Sequence, residues 1–190
     1  MKELTKSISL PEGNFQANVL QFEEKDRATL YKIYIEWRNL CNNLNSLHGR
    51  GVNLPEGLSE SSFCLEMGVV RTAESIKATG GAHTSFDAYD LSRKKRIQVK
   101  ACSVLPDLTS FGPKSVWDEI YFVDFYRDGS WDGKFDIYLI DNQDIYNHKV
   151  NATETFKDQQ KQGRRPRFSI YKDIIQVKKL APIKTADLSK

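Results

Sequence analysis

Asp87, Gln98 and Lys100 form the pattern in this chain with the clearest chemical use. They lie in Ser85-Phe86-Asp87-Ala88-Tyr89-Asp90 and Arg96-Ile97-Gln98-Val99-Lys100-Ala101. These segments read as two strands, 84–90 and 96–102, joined by Leu91-Ser92-Arg93-Lys94-Lys95. Side chains alternate along a strand, so Gln98 and Lys100 share a face. An odd pairing register would add Asp87, and the sequence leaves that register open. A carboxylate, an amide oxygen and an ammonium brought together suit phosphodiester hydrolysis. Mg²⁺ binds through oxygen and keeps several waters, so Asp87 plus one or two neighbouring oxygens can hold it. The metal acidifies a bound water and neutralises phosphate charge, while Lys100 orients the attack and offsets developing negative charge. Glu56 and Glu60, four apart on a predicted helix, share a face and offer a further oxygen ligand. Each residue also has a plainer role. Asp87 suits a strand end, Gln98 and Lys100 suit a solvated strand, and the glutamates suit a helix N-terminus.

The elements that must position these groups are legible in outline. Leu30, Ile33, Tyr34, Trp37, Leu40, Cys41, Leu44 and Leu47 recur at helical spacing, predicting a helix over 27–47 capped by Asp26 and stopped near Gly49. The Gly- and Pro-containing stretch 48–57 is a loop, followed by a helix from Pro55 or Ser59 to about Met67. Gly80-Gly81 breaks the chain before the two strands already described. Residues 106–113 form another loop, and 120–126 and 135–140 are strands joined by a turn over 127–133. A short helix over 152–160, a basic loop over 163–167, a strand at 168–171 and a closing element at 174–177 complete the order. The expected architecture is one α+β domain over 1–190, a mixed β-sheet flanked by helices. Residues 1–25 read as an N-terminal arm, the first 20 or so as an arm or loose strand, and 161–190 as a basic C-terminal segment.

Composition narrows the chemistry. The 190 residues carry 28 Lys and Arg against 25 Asp and Glu, a net charge of only +3, so any nucleic-acid footprint must be local. The charge is indeed divided. Residues 118–158 hold ten acidic and four basic side chains, whereas 161–179 hold seven basic ones and only Asp173. Arg164, Arg165 and Arg167 crowd around Pro166, and Arg93-Lys94-Lys95-Arg96 make a second basic cluster. Such runs are commonly solvated surface, but the arginine fork suits phosphates and the guanine edge. Three cysteines without C-x-x-C spacing argue against a disulfide framework or a cysteine zinc site, and point to the cytoplasm. The three scattered histidines argue against a zinc hydrolase. Phosphate-binding loops, dinucleotide fingerprints and nucleophile elbows do not occur in the sequence. No apolar run is long enough for a membrane span, and the first ten residues lack the core of a signal peptide.

The layout resembles the PD-(D/E)XK nucleases, and within them a small group of type II restriction endonucleases that cut GCNGC-type sites. Four blocks carry the resemblance over roughly 50–175. They are Arg50-Gly51-Val52-Asn53-Leu54-Pro55-Glu56-Gly57-Leu58-Ser59-Glu60, Ile97-Gln98-Val99-Lys100-Ala101, Asp107-Leu108-Thr109-Ser110-Phe111-Gly112-Pro113 and Gly163-Arg164-Arg165-Pro166-Arg167-Phe168-Ser169. The resemblance implies a restriction-endonuclease-like core, Mg²⁺-dependent cleavage of double-stranded DNA, and Asp87 and Lys100 as active-site residues. Gln98 stands where the family usually has Glu or Asp, which removes one charge from the metal site. Glu60, with Glu56 behind it, is then the replacement carboxylate. The family's proline before the first Asp is Phe86 here, which leaves Asp90 as a rival ligand. The expected metal set is therefore Asp87, Glu60 and Gln98. A palindromic site implies a C₂ homodimer, and a restriction system implies a cognate DNA methyltransferase. Expected DNA contacts are Arg164, Arg165 and Arg167, the 93–96 cluster, Arg50, Ser110 and Lys114, with Phe111 beside them in the cleft. Competing readings are a DNA-binding module on a decayed nuclease fold, a repair nuclease, and an unrelated α+β domain with a basic tail.

Overall fold

The computed structural model describes residues 1–72 and 86–190, together with the backbone of 76–77 and 83–84. The predicted Gly80-Gly81 break and Ser85 lie outside the described residues. Strands β1 (Lys2–Leu10) and β2 (Gly13–Gln21) precede helices α1 (Arg27–Ser46) and α2 (Glu56–Met67). Then come β3 (Val70–Thr72), the short pair β4 (Ile76–Lys77) and β5 (His83–Thr84), and the strands β6 (Ala88–Asp90) and β7 (Lys95–Cys102). Next are β8 (Thr109–Ser110), β9 (Glu119–Asp124) and β10 (Lys134–Ile140). Helices α3 (Asn142–Tyr146) and α4 (Phe156–Lys161), strand β11 (Arg167–Phe168), a π-helical segment (Tyr171–Gln176) and β12 (Lys184–Asp187) finish the chain.

Eight strands form one mixed sheet in the order β1-β2-β3-β6-β7-β9-β10-β12. Within it β7 and β9 run parallel and the other paired neighbours antiparallel. Alternation along the strands divides the core into two layers. Ile97, Val99, Tyr121, Val123 and Ile137 face α1 and α2, with Leu30, Tyr34, Trp37 and Phe63 packed on them. Ile120, Phe122, Tyr138 and Ile140 face the other way, toward α3, α4 and the C-terminal π-helical segment. The sheet is thus flanked by helices on both faces, as the sequence predicts. Along α1 only part of the apolar pattern is used. Leu30, Tyr34, Trp37 and Cys41 are buried, whereas Ile33, Leu40 and Leu47 are exposed.

The first 21 residues, read as an arm or loose strand, are strands and are not loose. They form a full hairpin whose β2 adds to β3, extending the sheet. Ile8, Leu10 and Val19 are buried there against Val70, Phe86 and Tyr89. The Tyr89 hydroxyl donates to Ser9 O at 2.8 Å and accepts from Ser9 N at 3.2 Å. The C-terminal segment is corrected in detail as well. The strand expected over 168–171 is only two residues long, and the chain turns helical from Ile170.

The loop after β7 is tied to the C-terminal segment at one buried carboxylate. Asp107 accepts from Ser169 Oγ, from Ile170 N at 3.1 Å and from Thr109 Oγ1 at 3.1 Å. Strand β8 then pairs with β11, Ser110 opposite Arg167 and Thr109 opposite Phe168. Two of the sequence blocks, some 50 residues apart, are thereby one structural unit. Asp107→Ala should strip three donors of their acceptor in a buried site, costing about 3 kcal/mol. Urea unfolding checks this: the midpoint should fall at unchanged m-value, and a loss below about 1 kcal/mol would show that the staple contributes little.

Candidate active site

A cleft of about 470 Å³ opens where α2, the β6–β7 pair and the loop after β7 meet. Glu56, Glu60, Asp87, Lys100 and Ser110 all line it. Each is delivered by local structure. Pro55 sets the chain in extended conformation before α2, and Glu56 and Glu60 then stack one turn apart toward the cleft. The β6–β7 ladder pairs Ala88 with Ile97 and Tyr89 with Arg96, and its continuation brings Asp87 beside Gln98. The odd register that the sequence left open is therefore the one present. Asp87 N donates to Ile97 O at 3.0 Å, and Asp87 Oδ2 accepts from Val99 N at 2.7 Å and from Gln98 Nε2.

Gln98 consequently has a different place from the one expected. It is buried at 4% exposure, it gives its amide N–H to Asp87, and it is not among the cleft-lining residues. An amide N–H turned toward the carboxylate orients Asp87. The site also contains a residue that sequence reasoning missed. Arg71 on β3 donates through Nε to Glu60 Oε2 at 2.6 Å. Only the pairing of β3 with β6, Arg71 opposite Ala88, brings it here. No local motif around Arg71 announces that pairing.

The electrostatics reflect several acids in a confined space. Burial, and then the neighbouring Asp87 charge, push the Glu60 carboxyl up to about 7 against the pull of Arg71. Burial also raises Asp87, opposed by the Lys100 ammonium and the Val99 N–H and reinforced by Glu56. Among the described residues Lys100 makes no ion pair, and its Nζ lies 5.4 Å from the centroid of the Phe111 ring. Also among the described residues, no three His, Cys, Asp or Glu side chains close around one point. Among the described residues the cleft thus offers the carboxylates of Glu56, Glu60 and Asp87 without a closed cage. That donor chemistry fits Mg²⁺, which commonly takes one or two carboxylates and fills its octahedron with water and substrate phosphate.

Several expected contacts are reassigned by their partners. Asp90 is buried at the mouth of the hairpin turn, where its Oδ1 accepts from Ser92 N and Arg93 N, both at 2.9 Å. Burial works to raise it, but the hydrogen bonds from Ser92 and Arg93 prevail and hold it at about 2. It is a turn-forming carboxylate, and it is not among the residues that line the cleft. Arg93 donates to Asp90 at 2.6 Å and through both terminal nitrogens to Glu119 at 2.6 and 3.0 Å. Arg96 is buried and closes on Asp118 at 2.7 and 3.1 Å. Both guanidiniums bridge strands, Arg96 in a buried position and Arg93 at the surface, and Lys94 and Lys95 are exposed without an ion pair among the described residues. Arg164 is clamped to Glu154 at 2.8 and 2.9 Å. Arg165 and Arg167 are exposed, and so are Arg50 and Lys114. Ser110 Oγ is buried without a hydrogen-bond partner among the described residues.

A family model described as Bsp6I restriction endonuclease matches residues 22–177. The type II restriction enzyme Bsp6I of Bacillus sp. (strain RFL6) is 37% identical over 160 residues, covering 83% of this chain and 85% of that enzyme. No solved structure matches the chain. The matched span contains every residue that lines the cleft, from Asn53 to Ser110, and also the arginines beside β11. The chain belongs to the Bsp6I restriction endonuclease family and is a type II restriction endonuclease, cutting DNA at a defined sequence.

Proposed function

We propose that the enzyme hydrolyses both strands of a short palindromic site, of the GCNGC type, using Mg²⁺ in the cleft between α2 and β7. The observation that carries this reading is the sharing of one cleft by Glu56, Glu60, Asp87 and Lys100. Asp87 and Glu60 would hold the metal, with Glu56 as the additional carboxylate. Bound there, Mg²⁺ supplies charge neutralisation at the scissile phosphate and an acidified water. The remaining work belongs to the chain. Gln98 and Val99 fix the orientation of Asp87, and Arg71 fixes Glu60. Lys100 places a positive charge where negative charge develops on the phosphate. Arg165 and Arg167 contact DNA, with Arg50, Lys94, Lys95 and Lys114 as further contacts along the duplex. A two-fold symmetric homodimer matches the palindrome, one cleft per strand. The protein acts in the cytoplasm beside a methyltransferase that protects host sites.

Digestion of a plasmid of known sequence tests the whole reading. Discrete fragments should appear with Mg²⁺ and none with EDTA, and end sequencing should find one palindrome at every cut. Metal-independent cutting would remove the Mg²⁺ assignment. A smear without preferred ends would replace the specific palindrome with nonspecific cleavage.

A further inference from the structure

The loop bearing the exposed arginines and the strand bearing Lys100 meet at a single side chain, Phe111. Its ring lies under the Lys100 ammonium, 5.4 Å from Nζ to centroid. The other side of the same residue belongs to the arginine loop. Phe111 N donates to Pro166 O at 3.1 Å, between Arg165 and Arg167. Its ring stacks on Phe168, with centroids 5.5 Å apart and planes 15° apart. Further rings immobilise it, Trp117 at 5.9 Å and Phe156 edge-on at 4.9 Å, and the side chain is only 1% exposed. Such a ring has little room of its own, so displacement of β11 must be passed to it. An ammonium over an aromatic face is attracted to the ring quadrupole, and more strongly when water is excluded.

We propose that Phe111 is a positioning residue that couples engagement of DNA by the Arg165–Arg167 loop to the placement of the Lys100 ammonium in the cleft. The inference rests on the reading of Lys100 as the catalytic cation and of that loop as a DNA contact. DNA drawn onto Arg165 and Arg167 loads β11, the β8–β11 pair and the Pro166 carbonyl carry the load to Phe111, and the ring sets where Lys100 stands. A duplex that seats the loop poorly then leaves Lys100 misplaced, so correct binding and rate rise together.

Phe111→Leu keeps apolar volume but removes the π face, and Phe111→Tyr keeps the face. With plasmid-derived duplex as the probe, Phe111→Leu should slow single-turnover cleavage about tenfold. Affinity measured with Ca²⁺ in place of Mg²⁺ should stay within about twofold, and the pH profile of cleavage should shift. Phe111→Tyr should restore most of the rate and the original profile. Equal losses in both variants, or a wild-type rate in folded Phe111→Leu, would overturn the coupling. Unmutated protein gives an independent reading that no folding defect can obscure. Hydrogen exchange of the Phe111 amide should slow when specific duplex binds, more than with a scrambled duplex, and equal protection by both would also refute the proposal. Lys100→Ala run in parallel separates the two ideas. If that variant cleaves normally, the catalytic reading of Lys100 has failed, whatever Phe111 does.

Discussion

Lys100→Ala should lower the single-turnover rate of DNA cleavage by about 10²–10³-fold, the usual cost of removing a preorganised charge from a transition state. DNA affinity should change little, because one lost phosphate contact lowers the salt slope by only about 0.9. The environment of the residue explains this division. Lys100 sits on β7 and lines the cleft with Asp87, Glu56 and Glu60, and among the described residues it forms no ion pair. Its charge is therefore available to the substrate and contributes little to folding. Lys100→Arg should recover only part of the rate, since a planar fork does not reproduce a compact ammonium over the Phe111 ring. Single-turnover assays with gel-shift titrations in Ca²⁺ make the comparison. A Lys100→Ala enzyme that cuts at the wild-type rate would sink the assignment.

Replacing Arg165 and Arg167 together with alanine should have the opposite signature. Affinity for specific DNA should fall by about 10²–10⁴-fold if both arginines read base edges, with cleavage rate at saturation much less affected. If both serve phosphates, the loss should be uniform across sequences and the salt slope should drop by about 2. Arg164→Ala is the internal comparison. Its guanidinium is already clamped to Glu154 at 2.8 Å, so its removal should disturb the end of α4 more than DNA binding. Titrations at several salt concentrations on specific and scrambled duplexes distinguish these cases. Unchanged affinity in the double variant would move the DNA contact away from β11.

The sequence revealed the parts of the site whose signals are local. Glu56 and Glu60 share a helix face because four residues make about one turn, and both reach the cleft. Lys100 lies on a strand with plain alternation, and the long helix α1 was marked by its apolar spacing. Long-range partners stayed hidden. Arg71 reaches Glu60 only because β3 lies beside β6, and a three-residue strand has too little pattern to announce that neighbour. Nothing local shows that the Gln98 amide would turn inward to Asp87. The ion pairs of Arg93 and Arg96 stayed hidden because their acidic partners Glu119 and Asp118 lie more than 20 residues further on. Clusters of like charge read along the chain are poor guides wherever folding supplies the counter-charge. The N-terminal hairpin was missed for a related reason: its buried face holds few residues, and they fit against Phe86 and Tyr89, which are distant in sequence.

That hairpin lies before the span shared with the family, and it occupies a vulnerable position. Without β2, the three residues of β3 would stand at the rim of the sheet with backbone groups open to any passing strand. Arg71, the residue that holds Glu60, is one of those three. Leu20 and Val19 close the rim by pairing with Arg71 and Thr72, and β1, which carries Lys2 and Lys6, becomes the new border. The hairpin thus acts as a guard rail, moving the sticky edge of the sheet two strands away from the acids of the cleft.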